Sequence, residues 1–209
     1  MALKANTLIT WFMHLSLILV FFYLIYKANF VLSILTLVAI LVSFSPAILR
    51  RNYDVNIPWH LEFLIVFAIL LDTLGSAFNI YHTFTGYDFL THTIGTATIS
   101  ILAFMIVYTL NFIGVVKMNL KMMGFFTFVF AIAVGSVYEI LEFMSDFFLG
   151  THMMISLENT VLDMIFNMLG GSLVAIFGMR YFKALKKKEI SKTIKPYESL
   201  LKMFGVIKK

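Results

Sequence analysis

Asp88 and His92 stand four residues apart in Gly86-Tyr87-Asp88-Phe89-Leu90-Thr91-His92-Thr93-Ile94-Gly95. On a helix that spacing puts a carboxylate and an imidazole on one face, one turn apart. Glu139-x-x-Glu142 places two carboxylates on a second face, and Asp163-x-x-x-Asn167 adds a third. Carboxylates with one imidazole can do general acid–base chemistry. They can equally hold Mg²⁺, Mn²⁺, Ca²⁺, Fe²⁺ or Zn²⁺ as a Lewis acid, with no choice among these ions from sequence. Asp88, His92, Glu139, Glu142 and Asp163 are the candidate metal ligands, and the first four also the candidate catalytic groups. Asp72, Asn79 and Asn167 would then steady the ligands from behind or touch a substrate. A divalent metal and an all-protein hydrogen-bonded network both remain open. There is no cysteine, so disulfides and thiolate chemistry are excluded. No phosphate loop, nucleophile elbow, His-Glu-x-x-His motif or dinucleotide fingerprint is present.

The elements that must position these residues are membrane-spanning helices. The 209-residue chain is 61% hydrophobic and only 13% charged, where a soluble domain carries roughly a quarter. An all-α polytopic bundle follows. Six apolar runs, at 7–26, 30–49, 60–81, 87–113, 121–147 and 159–180, are long enough to span. Residues 1–180 form this domain, and 181–209 a basic tail. The first run lacks a small-residue cleavage site and reads as a retained anchor. Tyr26-Lys27-Ala28-Asn29 is a tight turn, and Asn56 with Pro58 suits a helix start.

Depth sharpens the pattern. At 1.5 Å per residue, Asp72, His92, Glu139, Asp163 and Asn167 lie about 7–14 Å below one end of their spans. At about 100° per residue, Asp72, Ser76 and Asn79 share one sector, and so do Glu139, Glu142 and Asp146. Asn159, Asp163, Asn167 and Gly170 form a further polar stripe. No Lys or Arg occurs between Arg51 and Lys117, nor between Lys121 and Arg180. A carboxylate at mid-membrane costs about 3 kcal/mol. Several unpaired ones would consume a folding stability of about 5–15 kcal/mol. They must be neutralised by protons, by His92, by a metal or by a cationic substrate.

Lys and Arg set the orientation. With both termini cytoplasmic, every one of the 16 basic residues except Lys27 falls on the inner side. The acidic layer then faces outward in the cell membrane. In the tail, Lys183 to Lys195 precede Tyr197, Leu200, Leu201, Phe204 and Ile207 at helical spacing, with Lys208 and Lys209 after them. This reads as an amphipathic helix on an anionic lipid leaflet or as a solvated basic tail. The bilayer is the expected partner; no nucleic-acid module is visible. His14 and His60 read as structural, His82 and His152 lie on outer connections from which either could join the site, and Tyr138 reads as packing or as a hydrogen bond across helices. Gly171-x-x-x-Ala175 and Ala131-x-x-x-Gly135 are small-residue seams for close helix approach.

Tyr87-Asp88-Phe89-Leu90-Thr91-His92, then Tyr138-Glu139-Ile140-Leu141-Glu142-Phe143, then Asp163 before a Gly-rich helix resemble the YjdF-type multipass membrane proteins. Asp163, Asn167 and Gly170 are also similar to the Asp-x-x-x-Asn-x-x-Gly pattern of the broader VanZ-like proteins. The resemblance covers spans three to six. It departs from the YjdF-type pattern at Glu158 and Asn159, where that pattern is richer in Asp. It implies no defined activity, although VanZ-like members are associated with glycopeptide tolerance at the cell envelope. The expected function is therefore an outward-facing intramembrane site, a metal-assisted enzyme or binder of a lipid-like, lipid-linked envelope substrate. The alternatives are a cation- or proton-coupled transporter and a structural membrane protein with a protonated carboxyl network.

Overall fold

The computed structural model describes residues 5–53, 57–84 and 86–207; Lys4, Asn56, Lys208 and Lys209 lie outside them. It is all-helical, with six helical stretches long and apolar enough to cross a membrane. α1 (Ala5–Tyr26) and α2 (Phe30–Ser43) form a hairpin. Its turn is closed by Ala28 at φ 56° and by Asn29, whose side chain accepts from Leu32 N at 3.2 Å. The second span is not straight. It breaks at Phe44 and continues as α3 (Ser45–Tyr53), because Pro46 has no N–H to bond back into α2. Arg50 of α3 makes a two-pronged pair with Glu62 at 2.9 and 3.1 Å, on α4 (Trp59–Ala77).

The third span ends at Ala77, four residues before the expected Tyr81. Asn79 takes a left-handed conformation (φ 57°, ψ 32°), which stops the helix, and α5 (Ile80–Thr83) is a separate turn. Asn79 is therefore not on the Asp72 stripe, as a continuous helix would have placed it. α6 (Gly86–Phe112), α7 (Leu120–Leu149) and α8 (Leu157–Ala184) follow; α6 matches its apolar run to within one residue at each end, and α7 and α8 are longer than theirs. Asn119 and Ser156 cap α7 and α8 with their side chains, and Gly150 ends α7 at φ 65°.

α6 is the hub. α7 and α8 pack on it and on each other, α4 packs on another side, and α1, α2 and α4 form a second trio. Neither α2 nor α4 packs closely along α7; the two trios meet through α4 and α6. α9 (Lys187–Met203) folds back onto α6. Its Ile194, Tyr197 and Leu201 are buried, so its apolar face is covered by protein. His14 is structural, as expected: its ring lies 2.8 Å from Thr10 O and 3.3 Å from Ser43 O and stacks on Phe44.

Small residues allow α6, α7 and α8 to close up. A Cβ on Gly170 would lie 2.6 Å from the Thr93 backbone oxygen of α6. One on Gly135 would lie 2.6 Å from the Asn167 amide nitrogen, and Gly171 sits against Ala131. Both expected seams are thus in use.

Candidate functional site

Asp88 lies in the first turn of α6 and His92 one turn on, and each is 7% exposed. The same stripe logic on α8 places Asn159, Asp163 and Asn167 on successive turns facing α6. α7 brings in Glu139, and α4 brings in Asp72. Tyr87 ties the start of α6 to α4 by donating to Leu71 O at 2.6 Å.

His92 is the centre. Its Nε2 lies 3.3 Å from Asp88 Oδ1 and 3.9 Å from Asp163 Oδ1. Its Nδ1 lies 3.4 Å from Glu139 Oε1 and 3.3 Å from Asn167 Oδ1. Both neighbours of Nδ1 are acceptors, so Nδ1 carries a hydrogen. Nε2 faces carboxylate oxygens, so a positive charge belongs between them. Among the described residues, every ion pair of this layer runs to His92.

Asn159 is an uncharged donor that serves two of these carboxylates. Its Nδ2 reaches Asp88 Oδ2 at 2.6 Å and Asp163 Oδ2 at 2.5 Å, tying the two carboxylates together. Asn167 Oδ1 accepts from Thr96 Oγ1 at 2.5 Å. Glu139 is 3% exposed and neither of its oxygens has a hydrogen-bond partner; Asp163 Oδ1 and Asn167 Nδ2 also lack one. Unsatisfied buried groups of this kind are rare and costly.

The five expected ligands thus meet around one ring, but they divide between its two nitrogens. Asp88 and Asp163 gather with His92 on one side, Glu139 and Glu142 on the other. One imidazole cannot turn both nitrogens to one ion, so a single ion takes one group only. Among the described residues Asn79 makes no side-chain hydrogen bond to the cluster, and it lines the polar cavity described next. Asp72 is held elsewhere: Tyr81 and Tyr138 both donate to its Oδ1, at 2.9 and 2.8 Å. Burial and the Asp72 carboxylate push the Tyr81 hydroxyl's pKa up, which keeps it a donor. Tyr138 also sets its ring edge-on to His92 at 5.5 Å, so it does more than pack. Asp146 is structural, since Thr151 and the backbone N–H groups of His152, Met153 and Met154 all donate to it.

Two cavities adjoin the cluster. A polar one of about 430 Å³ lies at the end that holds the 150–156 connection, and Asp88, Glu142, His82 and His152 line it. An apolar one of about 320 Å³ lies deeper, between α2, α4, α6 and α7, with Asp72, His92, Tyr138 and Asn167 among its walls.

A family model described as a predicted membrane protein, DUF2238, matches residues 9–184. The chain belongs to the DUF2238 family. The match takes in spans one and two, beyond the reach of the motif resemblance, and stops at the end of α8. The DUF2238 segment therefore contains all six spans and the whole His92 cluster, while α9 lies outside it. No curated protein and no solved structure matches the chain.

Sequence reasoning missed the roles of Asn159, Thr96 and Tyr81, while the cross-helix hydrogen bond it allowed for Tyr138 is the one made to Asp72. Asn159 was legible as the residue one turn before Asp163 on the same stripe. Thr96 stands one turn after His92. Tyr81 carries no such signal, because its place depends on the break at Asn79.

Proposed function

We propose that this chain binds one divalent cation between His92 Nε2, Asp88 Oδ1 and Asp163 Oδ1, and uses it on a lipid-linked substrate at the outer face of the cell membrane. The observation that carries the reading is Nε2 facing two buried carboxylates at 3.3 and 3.9 Å. Charge-assisted hydrogen bonds close to about 2.7–2.9 Å. Nitrogen and oxygen ligands each about 2.1 Å from one tetrahedral ion sit about 3.4 Å apart. The spacing suits an ion better than a shared proton.

The remaining residues have roles consistent with this. Glu139 Oε1 lies 3.4 Å from Nδ1, an ion-pair contact that would hold the ring so that Nε2 points at the cation, as carboxylates behind metal-bound histidines do. Asn159 holds the two carboxylates at one separation. Glu142, half-buried at the mouth of the polar cavity, is placed to take or give a proton. A bound cation would supply Lewis-acid polarisation of a substrate oxygen. Lys and Arg placement supports the outward orientation, and the YjdF-type and VanZ-like motifs support a role at the envelope.

A protonated network is the second reading, favoured by Asn159 already bridging Asp88 and Asp163. Elemental analysis of protein purified in mild detergent without chelator separates the two, beside His92→Ala and Glu139→Gln. Near-stoichiometric metal in the wild type, lost in His92→Ala and reduced in Glu139→Gln, is expected. A folded, metal-free wild type would sink the cation reading and make proton or cation flux in proteoliposomes the next measurement.

A further inference from the structure

The deeper cavity carries a second conclusion, which rests on the lipid-substrate reading above and names how such a substrate is held. Its apolar walls are Ala39 and Val42 of α2, Ala68 and Ile69 of α4, Ile99 of α6 and Val134 of α7. Counted along the helices, the deepest of these positions lie beyond the acidic layer. Asp72, His92 and Asp163 lie about 8–9 Å from the ends of their helices nearest the polar cavity, Glu139 about 15 Å, and Ile99 and Val134 about 20 Å or more. The apolar part thus continues inward from the acidic layer, away from the polar cavity.

Its side is open. Val42 is 51% exposed, Ile99 39% and Tyr138 37%, and all three stand within membrane-spanning stretches. At that depth the exposed rim faces hydrocarbon, so whatever fills the slot comes from the bilayer. The opening exists because α2 and α4 do not close onto α7. Small residues, Ala39, Ala68 and Gly95, leave its width. At its polar end the two tyrosines occupy Oδ1 of Asp72, and among the described residues Oδ2 has no hydrogen-bond partner. Asp72 lines this slot, as does His92.

We propose that the slot is a lateral binding site for one hydrocarbon chain of a membrane lipid, whose polar head then lies at Asp72 and the His92 cluster. A slot open to the bilayer, apolar along its length and polar at the acidic layer matches an amphiphile in both halves. Tyr81 and Tyr138 are positioning residues that aim Asp72. The head group meets the acids from the membrane side, while the polar cavity gives water access to Asp88 and Glu142 from the other.

The test uses the full chain in liposomes doped with phosphatidylglycerol that carries a diazirine near the end of one acyl chain. After illumination, labelled peptides are mapped by mass spectrometry. Labels concentrated on Ile69, Ile99 and Val134 are expected. Ala68→Phe should cut labelling at Ile99 and Val134 about ten-fold, the scale of misfitting a methylene or two in an apolar pocket. Labelling of Phe125, exposed on the outer face of α7, should not change. Val134→Phe tests the same slot from the opposite wall should Ala68→Phe fail to fold, and Ala68→Ser should keep the label. Labelling spread evenly over outward residues, or unmoved by either Phe variant, would overturn the proposal. Cation content in the same samples is a separate readout. Slot labelling without metal removes the cation reading alone, and metal without slot labelling removes this proposal alone.

Discussion

The helix pair α6–α8 is two different materials at its two ends. Near the polar cavity it is held by polar groups: His92 among carboxylates, the Asn159 bridge, and Thr96 on Asn167. Toward the other end the same pair is sealed by Phe104, Met105, Tyr108 and Phe182, with Ile194 and Tyr197 of α9 laid over them. Tyr108 and Phe182 have ring centroids only 3.8 Å apart. The apolar end has its groups matched. The polar end leaves Glu139, Asp163 Oδ1 and Asn167 Nδ2 without hydrogen-bond partners. Native cores leave few such groups unpartnered, so the cost carried at one end is borne by packing at the other, which holds the helices in register.

The comparison breaks most simply at Phe182. Phe182→Ala should cost about 3–5 kcal/mol, as aromatic deletions in packed cores do. Thermal melting in detergent should show it, while the metal content per folded chain stays at the wild-type value. Asn159→Ala should do the reverse. It removes the shared donor from two buried carboxylates, worth about 1.5–3 kcal/mol for hydrogen bonds to charged groups. In chelator-treated protein that loss should be seen in full, and added cation should recover part of it. Equal melting with and without cation would show that no ion shares the work of Asn159.

Gly170→Ala tests whether the two ends are coupled. The new Cβ would meet backbone atoms of α6, Thr93 O at 2.6 Å and Ala97 N at 3.1 Å, which cannot rotate away. Overpacking of this kind costs about 1–3 kcal/mol. Because Gly170 sits two turns beyond Asp163 on the same face, widening the interface should also lower cation content. A stable variant with normal cation content would show that the polar end tolerates movement that the contact geometry forbids.

What was legible in the chain follows from this division. The spans, and the gathering of Asp88, His92, Glu139, Glu142 and Asp163, could be read because helical period and depth are fixed by sequence spacing alone. The split of those side chains between Nδ1 and Nε2 could not, because ring orientation is set by neighbours on other helices. The break at Asn79 was hidden for a local reason: Asn adopts a left-handed backbone often enough to stop a helix, yet Phe78-Asn79-Ile80-Tyr81 reads as a continuation of the apolar run. Asp72 therefore meets Tyr81 through a turn no periodicity announces. The slot was equally invisible, since it lies where α2 and α4 stop short of packing along α7.

The smallest expected effect lies at α9, where the apolar end meets the basic tail. Tyr197 is buried, and that burial pushes its hydroxyl up to about 12, against an ordinary value near 10. A group raised on docking contributes its full share below the undocked pKa and loses it as pH rises through the docked one. Tyr197 should thus contribute in full, and give docking no pH dependence, at neutral pH, and docking should weaken between pH 10 and 12, by about 1.4 kcal/mol at pH 11. The chain has no cysteine, so Lys192→Cys on the exposed side of α9 gives a single spin-label position. Label mobility should rise above about pH 10 in that background. With Tyr197→Phe added the rise should shrink, since the lysines of α9 still titrate but the buried phenol does not. An unchanged rise would assign the alkaline loosening to the lysines and leave Tyr197 as apolar contact alone.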